Sequence, residues 1–393
     1  MNLHFVTNRA HSGSDRWKPD GYTKQPSGDG AHNLRYGHVE LDLSGVQDQI
    51  NETIKKPTDG GDGNGSAIAD IINGVDASKR KIFAYQESSD GTRKGSTESF
   101  DKLQELMRSS KDVVVFIHGY NTDWWEAVST VAALEIMLNA NGGKEVAVVL
   151  FSWPSDGEIL LVTPYFSERH DASLSRFATI RALLILQKRL ADIRISALGT
   201  EYRTRREYLK AVESRAIDAN KGLCGSGLHL VCHSMGNYVL ECALGLADED
   251  PEYVLSERMF DNVILAAPDV NTDALEPGRP LSRLASIAKN VSVYFNKEDM
   301  PLLTSMATKN ARERLGRTGA ARPEAIDRTF HQIDCTGVVE DGIVEHSYFL
   351  NGKPLDDIRR TIHGVRQSDP SRPRQGDKMY PNVWRLVNYN TTP

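Results

Sequence analysis

Cysteine is scarce here: four residues in 393, Cys224, Cys232, Cys242 and Cys335. Their spacing matches neither a metal-ligand set nor a disulfide framework, so stability must come from a packed core. A surplus of basic charge is also missing. With 47 Lys and Arg against 53 Asp and Glu, the net charge of −6 leaves no polyanion-binding footprint, and nucleic acid is not an expected partner. No apolar run reaches the roughly 18 residues that span a bilayer. Residues 1–9 lack the basic-then-apolar layout of a signal peptide, so the expected location is cytoplasmic. Neither a metal nor a cofactor is expected, and oligomeric state is left open.

What is present is a globular balance, 39% apolar and 25% charged, in a chain long enough for one decorated domain or two small ones. Residues 1–110 read as an accessory front end. Segments 3–7, 39–43 and 82–86 have strand character, 100–108 has helix character, and polar, glycine-rich stretches separate them.

From 111 to 365 the rhythm becomes strand–helix alternation. Val113, Val114, Val115, Phe116 and Ile117 form the continuous apolar run of a central parallel strand. Asp123 with Glu126 makes a capping box for a helix reaching about Ala140. Further strands are expected at 146–151, 228–233, 263–267, 291–295 and 330–335. Helices are expected at 237–246, 282–288, from 300 to Leu315, and at 356–362. Residues 158–222 are long for one crossover. Apolar residues at three-to-four spacing predict a long helix from near Asp171, and a charged helical stretch follows at 202–212. This insertion is a crossover helix with a surface extension or, alternatively, a cap over the site that includes Tyr165 and Phe166. Residues 366–393 read as a polar tail. The fold class expected is a doubly wound, mostly parallel α/β sheet with helices on both faces and an N-terminal β-rich extension, the α/β-hydrolase arrangement. Function then belongs at the carboxyl ends of the strands.

Cys232-His233-Ser234-Met235-Gly236 is where that function concentrates. A strand runs into a sharp turn with a serine at its tip, and a helix follows: the layout of a nucleophile elbow. Gly236 supplies one of the two small residues this turn needs, and Cys232 stands where the usual motif has its first glycine. A serine hydroxyl becomes a nucleophile only beside an imidazole that takes its proton, and the imidazole needs a carboxylate partner. In the order serine, acid, histidine, the chain offers Ser234, then Asp299 after one strand or Asp269 after the strand before, then His346 in a loop. His331 and His363 read as structural or solvated, and His233 as a packing or hydrogen-bonding residue facing away from the nucleophile. The tetrahedral oxyanion needs donors, expected from the backbone N–H groups of Met235 and Tyr120. Trp124, Trp125 and Trp153 follow strand ends and are candidate walls of an apolar acyl pocket, or simply core.

Several short stretches together resemble a known family. They are Thr7-Asn8-Arg9, Leu34-Arg35-Tyr36-Gly37, His118-Gly119-Tyr120-Asn121, Ser152-Trp153-Pro154-Ser155, His233-Ser234-Met235-Gly236-Asn237, Ala267-Pro268-Asp269, Arg314-Leu315-Gly316 and His346-Ser347-Tyr348-Phe349. The chain thereby resembles the DUF900 α/β-hydrolases, related to serine esterases and lipases. The resemblance implies an α/β-hydrolase fold and a serine-hydrolase triad on Ser234, an aspartate and His346, and it implies no particular substrate. The expectation is hydrolysis of a small-molecule carboxylic ester through an acyl-enzyme. An amidase or peptidase, a thioesterase or an acyltransferase would use the same residues. A non-catalytic hydrolase-like binding protein is the alternative from another class.

Overall fold

Residues 113–117 and 146–152 lack the polar alternation of a half-exposed strand, and they become the middle of a sheet covered on both faces. The computed structural model of the chain describes all residues except 31, 59–60, 63, 89–93, 110, 156–162, 199–203, 205, 208–209, 211–225, 308–311, 340–345 and 388–393. Its main sheet contains β1 Asn2–Thr7, β2 Arg35–Leu41, β3 Arg80–Ala84, β4 Asp112–Ile117, β5 Val146–Ser152 and β6 Leu228–His233. It continues with β7 Phe260–Ala266, β8 Ala288–Phe295, β9 Phe330–Asp334, β10 Arg374–Gly376 and β11 Val383–Leu386. The order across the sheet is β10-β11-β9-β8-β7-β6-β4-β5-β1-β2-β3. Pairing is parallel from β1 through to β11, and antiparallel at the two margins.

Successive side chains of a strand point to opposite faces, so each central strand feeds two cores. Val113, Ile117, Phe151, Leu230, Cys232 and Leu265 enter one. Val114, Phe116, Leu150, Val231, Ile264 and Tyr294 enter the other. The helix Trp124–Asn139 covers the second face. Its capping box forms as expected, Asp123 accepting the Glu126 N–H and Glu126 accepting the Asp123 N–H, both at 2.8 Å. The chain runs from β4 outward to β5, then returns to lay β6 on the other side of β4. That reversal leaves a crevice at the carboxyl ends of β4 and β6, where such sheets bind ligands.

The structure differs from the sequence reading at both ends of the chain. The first 110 residues add strands to the main sheet itself: β1 lies parallel to β5, and β2 and β3 extend that edge. The tail is not a loop. β11 pairs in parallel with β9, and β10 closes the edge. Behind this lies a buried charge cluster. Arg372 donates to Asp357 at 3.0 Å, Arg374 donates to it at 2.8 Å, and the Tyr294 hydroxyl adds a third bond at 2.8 Å. The two guanidinium groups hold the Asp357 carboxyl below the usual range, outweighing the effect of its burial. Arginines that look like solvated tail in sequence are therefore anchors.

The helix expected from Asp171 begins earlier, as Thr163–Leu174 followed by Arg176–Leu198. Tyr165 and Phe166 lie within the first of these. Of the insertion 158–222, read alternatively as a cap, residues 158–162 and most of 199–222 lie outside the described residues. The stretch expected to run helically to Leu315 is two pieces, Met300–Ala307 and Leu315–Thr318. No helix among the described residues is long and apolar enough to cross a membrane.

Candidate active site

Strand β6 ends at His233, and Ser234 follows with φ of 50°, a left-handed conformation that costs a non-glycine residue about 1–2 kcal/mol. The surroundings enforce it. The Ser234 N–H donates to the Ala266 carbonyl at 2.9 Å, and the Ser234 carbonyl accepts the N–H groups of Asn237 at 3.1 Å and Asp269 at 3.2 Å. The fully buried Asn237 side-chain amide then donates to the carbonyls of Cys232 at 3.1 Å and Ser234 at 3.0 Å. Asn237 is the brace of the elbow. Its signal in the sequence is an amide in the first turn of an otherwise apolar helix.

Close approach explains the glycines. A Cβ on Gly236 would lie 2.6 Å from the His118 carbonyl oxygen and 2.7 Å from that of Ile117. A Cβ on Gly119 would lie 3.0 Å from the Ser234 Cβ and 3.0 Å from His233 Nδ1. The turn after β4 is thus pressed against the elbow, with Tyr120 following it. Cys232 needs no such space, because it points into the core, fully buried. Burial pushes its thiol pKa up, so it stays protonated and unreactive.

The two candidate acids have different partners. Asp299 Oδ2 lies 2.7 Å from His346 Nδ1, and its other oxygen accepts the Leu302 N–H at 2.9 Å. An ionised carboxylate only accepts, so in this pair Nδ1 carries the proton. Asp269 instead faces the Arg314 guanidinium at 3.3 Å, and Arg314 also donates to Asn271 at 2.9 Å. Of the two aspartates, Asp299 is the one brought to His346. His233 packs and hydrogen-bonds, as expected: its Nε2–H donates to the His346 carbonyl at 3.1 Å, and its ring lies 4.8 Å from that of His346 and 4.7 Å from that of Phe349. The histidine before the serine therefore anchors His346.

Of the three tryptophans, Trp124 and Trp153 are buried and Trp125 is half-buried. Trp124 is 2% exposed and packs edge-on against Phe5 at 5.1 Å. Trp125 lies under the Arg80 guanidinium at 5.0 Å. Trp153, wholly buried, stacks on His118 at 5.3 Å and donates its indole N–H to the His118 carbonyl at 2.9 Å. Large rings after strand ends are drawn into core, where their apolar area is worth most.

His118 is the hub of a buried network that joins three distant sequence stretches. Its Nε2 accepts the Trp153 N–H at 3.2 Å and faces Arg9 at 3.2 Å; Arg9 also donates to Ser152 Oγ at 2.8 Å and to the Thr122 carbonyl at 2.8 Å. Burial, and then the charge of Arg9, lowers the His118 pKa to about 3, so it is neutral and structural. His4, His229 and His331 are lowered to about 4, burial again being the largest cause. Below pH 6.5 the unfolded chain takes up protons that these folded imidazoles refuse. The stability these four imidazoles contribute is therefore complete above pH 6.5 and falls with pH until their folded pKa values are reached; Glu135 and Glu241, each raised by burial to about 7, act in the opposite sense but are two groups against four. The urea midpoint is expected to fall between pH 7 and pH 4, and to fall less steeply in His331→Gln. An unchanged slope in that variant would contradict the burial argument.

Among the described residues no group of three or more His, Cys, Asp or Glu side chains is placed to hold a metal ion. Cys232, Cys242 and Cys335 are free thiols, and Cys224 lies outside the described residues.

A mostly parallel sheet with helices on both faces, and a serine turn at the carboxyl end of a central strand, is the arrangement of an α/β hydrolase. The family described as "Alpha/beta hydrolase of unknown function (DUF900)" matches residues 96–202 and 207–366, and the chain belongs to it. No curated protein matches the chain.

Proposed function

We propose that this protein is a serine hydrolase that cleaves a small-molecule carboxylic ester through an acyl-enzyme on Ser234. The observation that supports the reading is the 2.7 Å pair of His346 and Asp299, with His346 hydrogen-bonded to His233, the residue before a serine in a left-handed elbow turn. In this reading His346 Nε2 takes the Ser234 proton as Oγ attacks the ester carbonyl, then returns it to the leaving alcohol. Asp299 fixes the imidazole tautomer and stabilises its charge. The N–H of Met235, at the start of the helix Gly236–Glu249, and the N–H of Tyr120, on the turn pressed against Ser234, receive the oxyanion. Water enters on the same base and releases the acid.

The first test is a fluorophosphonate probe read by intact mass. One equivalent of label on the wild-type protein and none on Ser234→Ala supports an activated serine; an unlabelled wild-type protein beside a reactive control enzyme contradicts it. An ester and amide screen on the labelled protein then sets the leaving group.

The aspartates give a second test. Asp299→Asn keeps the shape but permits the wrong tautomer, and is expected to lower kcat by about 10⁴-fold. Asp269→Asn weakens the pairing with Arg314 and is expected to reduce stability far more than kcat. Equal losses of kcat would remove Asp299 from its assigned role.

A further inference from the structure

At the opposite end of the sheet, the amino ends of β4, β6, β7 and β8 border a cleft of about 820 Å³, within the size range of small-molecule sites. His229 lies in its wall, five residues before Ser234 and so about 17 Å away along β6. The hydrogen bonds around it determine which ring nitrogen holds the proton. The Asn262 amide nitrogen donates to the Thr361 carbonyl at 3.0 Å, and a carbonyl can only accept, so the orientation of that amide is set. The same nitrogen lies 3.0 Å from His229 Nδ1, which must therefore be the acceptor. The ring proton is on Nε2.

That Nε2–H is buried without a partner, on a residue only 1% exposed. A buried donor left unpaired costs about 1–3 kcal/mol, and such groups are rare in native proteins. Gly227 lies against it: a Cβ there would stand 2.6 Å from His229 Nε2. His363, also lining the cleft, has a second buried Nε2 without a partner.

The charges around the cleft indicate the ligand. Lys144 pairs with Asp112 at 2.5 Å, and these two cancel. The other charged lining residues are Lys289, Arg366 and one carboxylate, Asp261, which accepts the Leu228 N–H at 3.2 Å. The balance is positive, and the unpaired buried group is a donor.

We propose that this cleft is a second binding site, for a small polar metabolite carrying an oxyanion. One oxygen accepts from His229 Nε2–H, and Lys289 and Arg366 balance the charge. The source of the oxyanion is a phosphate or a carboxylate group. The site shares no residue with the elbow, so it stands whether or not Ser234 is a nucleophile.

The test is isothermal titration of the full-length protein with inorganic phosphate and, separately, citrate, at constant ionic strength and up to millimolar concentrations. Saturable binding of one equivalent is expected, weakened about tenfold in Lys289→Gln or Arg366→Gln by loss of a charge-assisted bond, and unchanged in Ser234→Ala. A phosphate response identifies a phosphate-bearing ligand, and a citrate response a carboxylate-bearing one. His229→Phe removes the donor, but because that residue is buried, the two exposed rim variants decide the question. Absence of saturable binding by either probe overturns the proposal, as does equal affinity in the wild type and both rim variants.

Discussion

Ser234→Ala is expected to lower kcat for a carboxylic ester by about 10⁴- to 10⁶-fold while leaving the fold intact. The size follows from the proposed chemistry: without Oγ no acyl-enzyme forms, and only binding and oxyanion stabilisation remain. The intact fold follows from geometry. Alanine keeps the Cβ in the space that Gly119 leaves for it, and the backbone bonds from Ser234 to Ala266, Asn237 and Asp269 need no hydroxyl. The check is a progress curve on purified protein, with circular dichroism and a urea midpoint alongside. Residual turnover above a tenth of wild type would mean that another group attacks the ester, and the proposed mechanism would fall.

Gly236→Ala is expected to have the largest effect on stability, a loss of about 3 kcal/mol or more. Its new methyl would meet the carbonyl oxygens of His118 and Ile117 at 2.6 and 2.7 Å. Both are backbone atoms where β4 ends in the centre of the sheet, so neither can rotate aside as a side chain would. The same helix supplies an internal control. At Gly245 a Cβ would find Pro280 at 3.5 Å, an ordinary contact, and alanine is the better helix former by about 1 kcal/mol. Gly245→Ala is therefore expected to be neutral or stabilising. Urea midpoints of the two variants decide the matter, and a Gly236→Ala protein as stable as Gly245→Ala would show that the elbow has room to relax.

Much of the architecture was legible without coordinates, because its signals are local. Continuous, valine-rich apolar runs at 113–117 and 146–151 point to strands buried on both faces. Asp123 and Glu126 mark a helix start by a spacing that works in one geometry. The elbow is readable because a serine between a strand and a helix, with glycine two positions later, is a local solution to a local steric problem.

Other features depend on which distant groups meet. Asp269 and Asp299 both end strands, and only the packing shows that Arg314 occupies the first while His346 reaches the second. The tryptophans after strand ends read equally as pocket or core until their neighbours are known. Arg372 and Arg374 sit in a stretch as polar as any loop, and they become anchors because folding brings them onto a buried Asp357.

By itself, then, the sequence determined the alternating α/β plan and the elbow turn at Ser234, since each rests on contacts within a few residues. Only the tertiary structure decided that Asp299 meets His346, that His233 and Asn237 brace the site, and that both chain ends enter the sheet. It also placed His229 with an unpaired N–H beside a cleft. Those are long-range pairings, and a side chain's partner is set by where the sheet carries it.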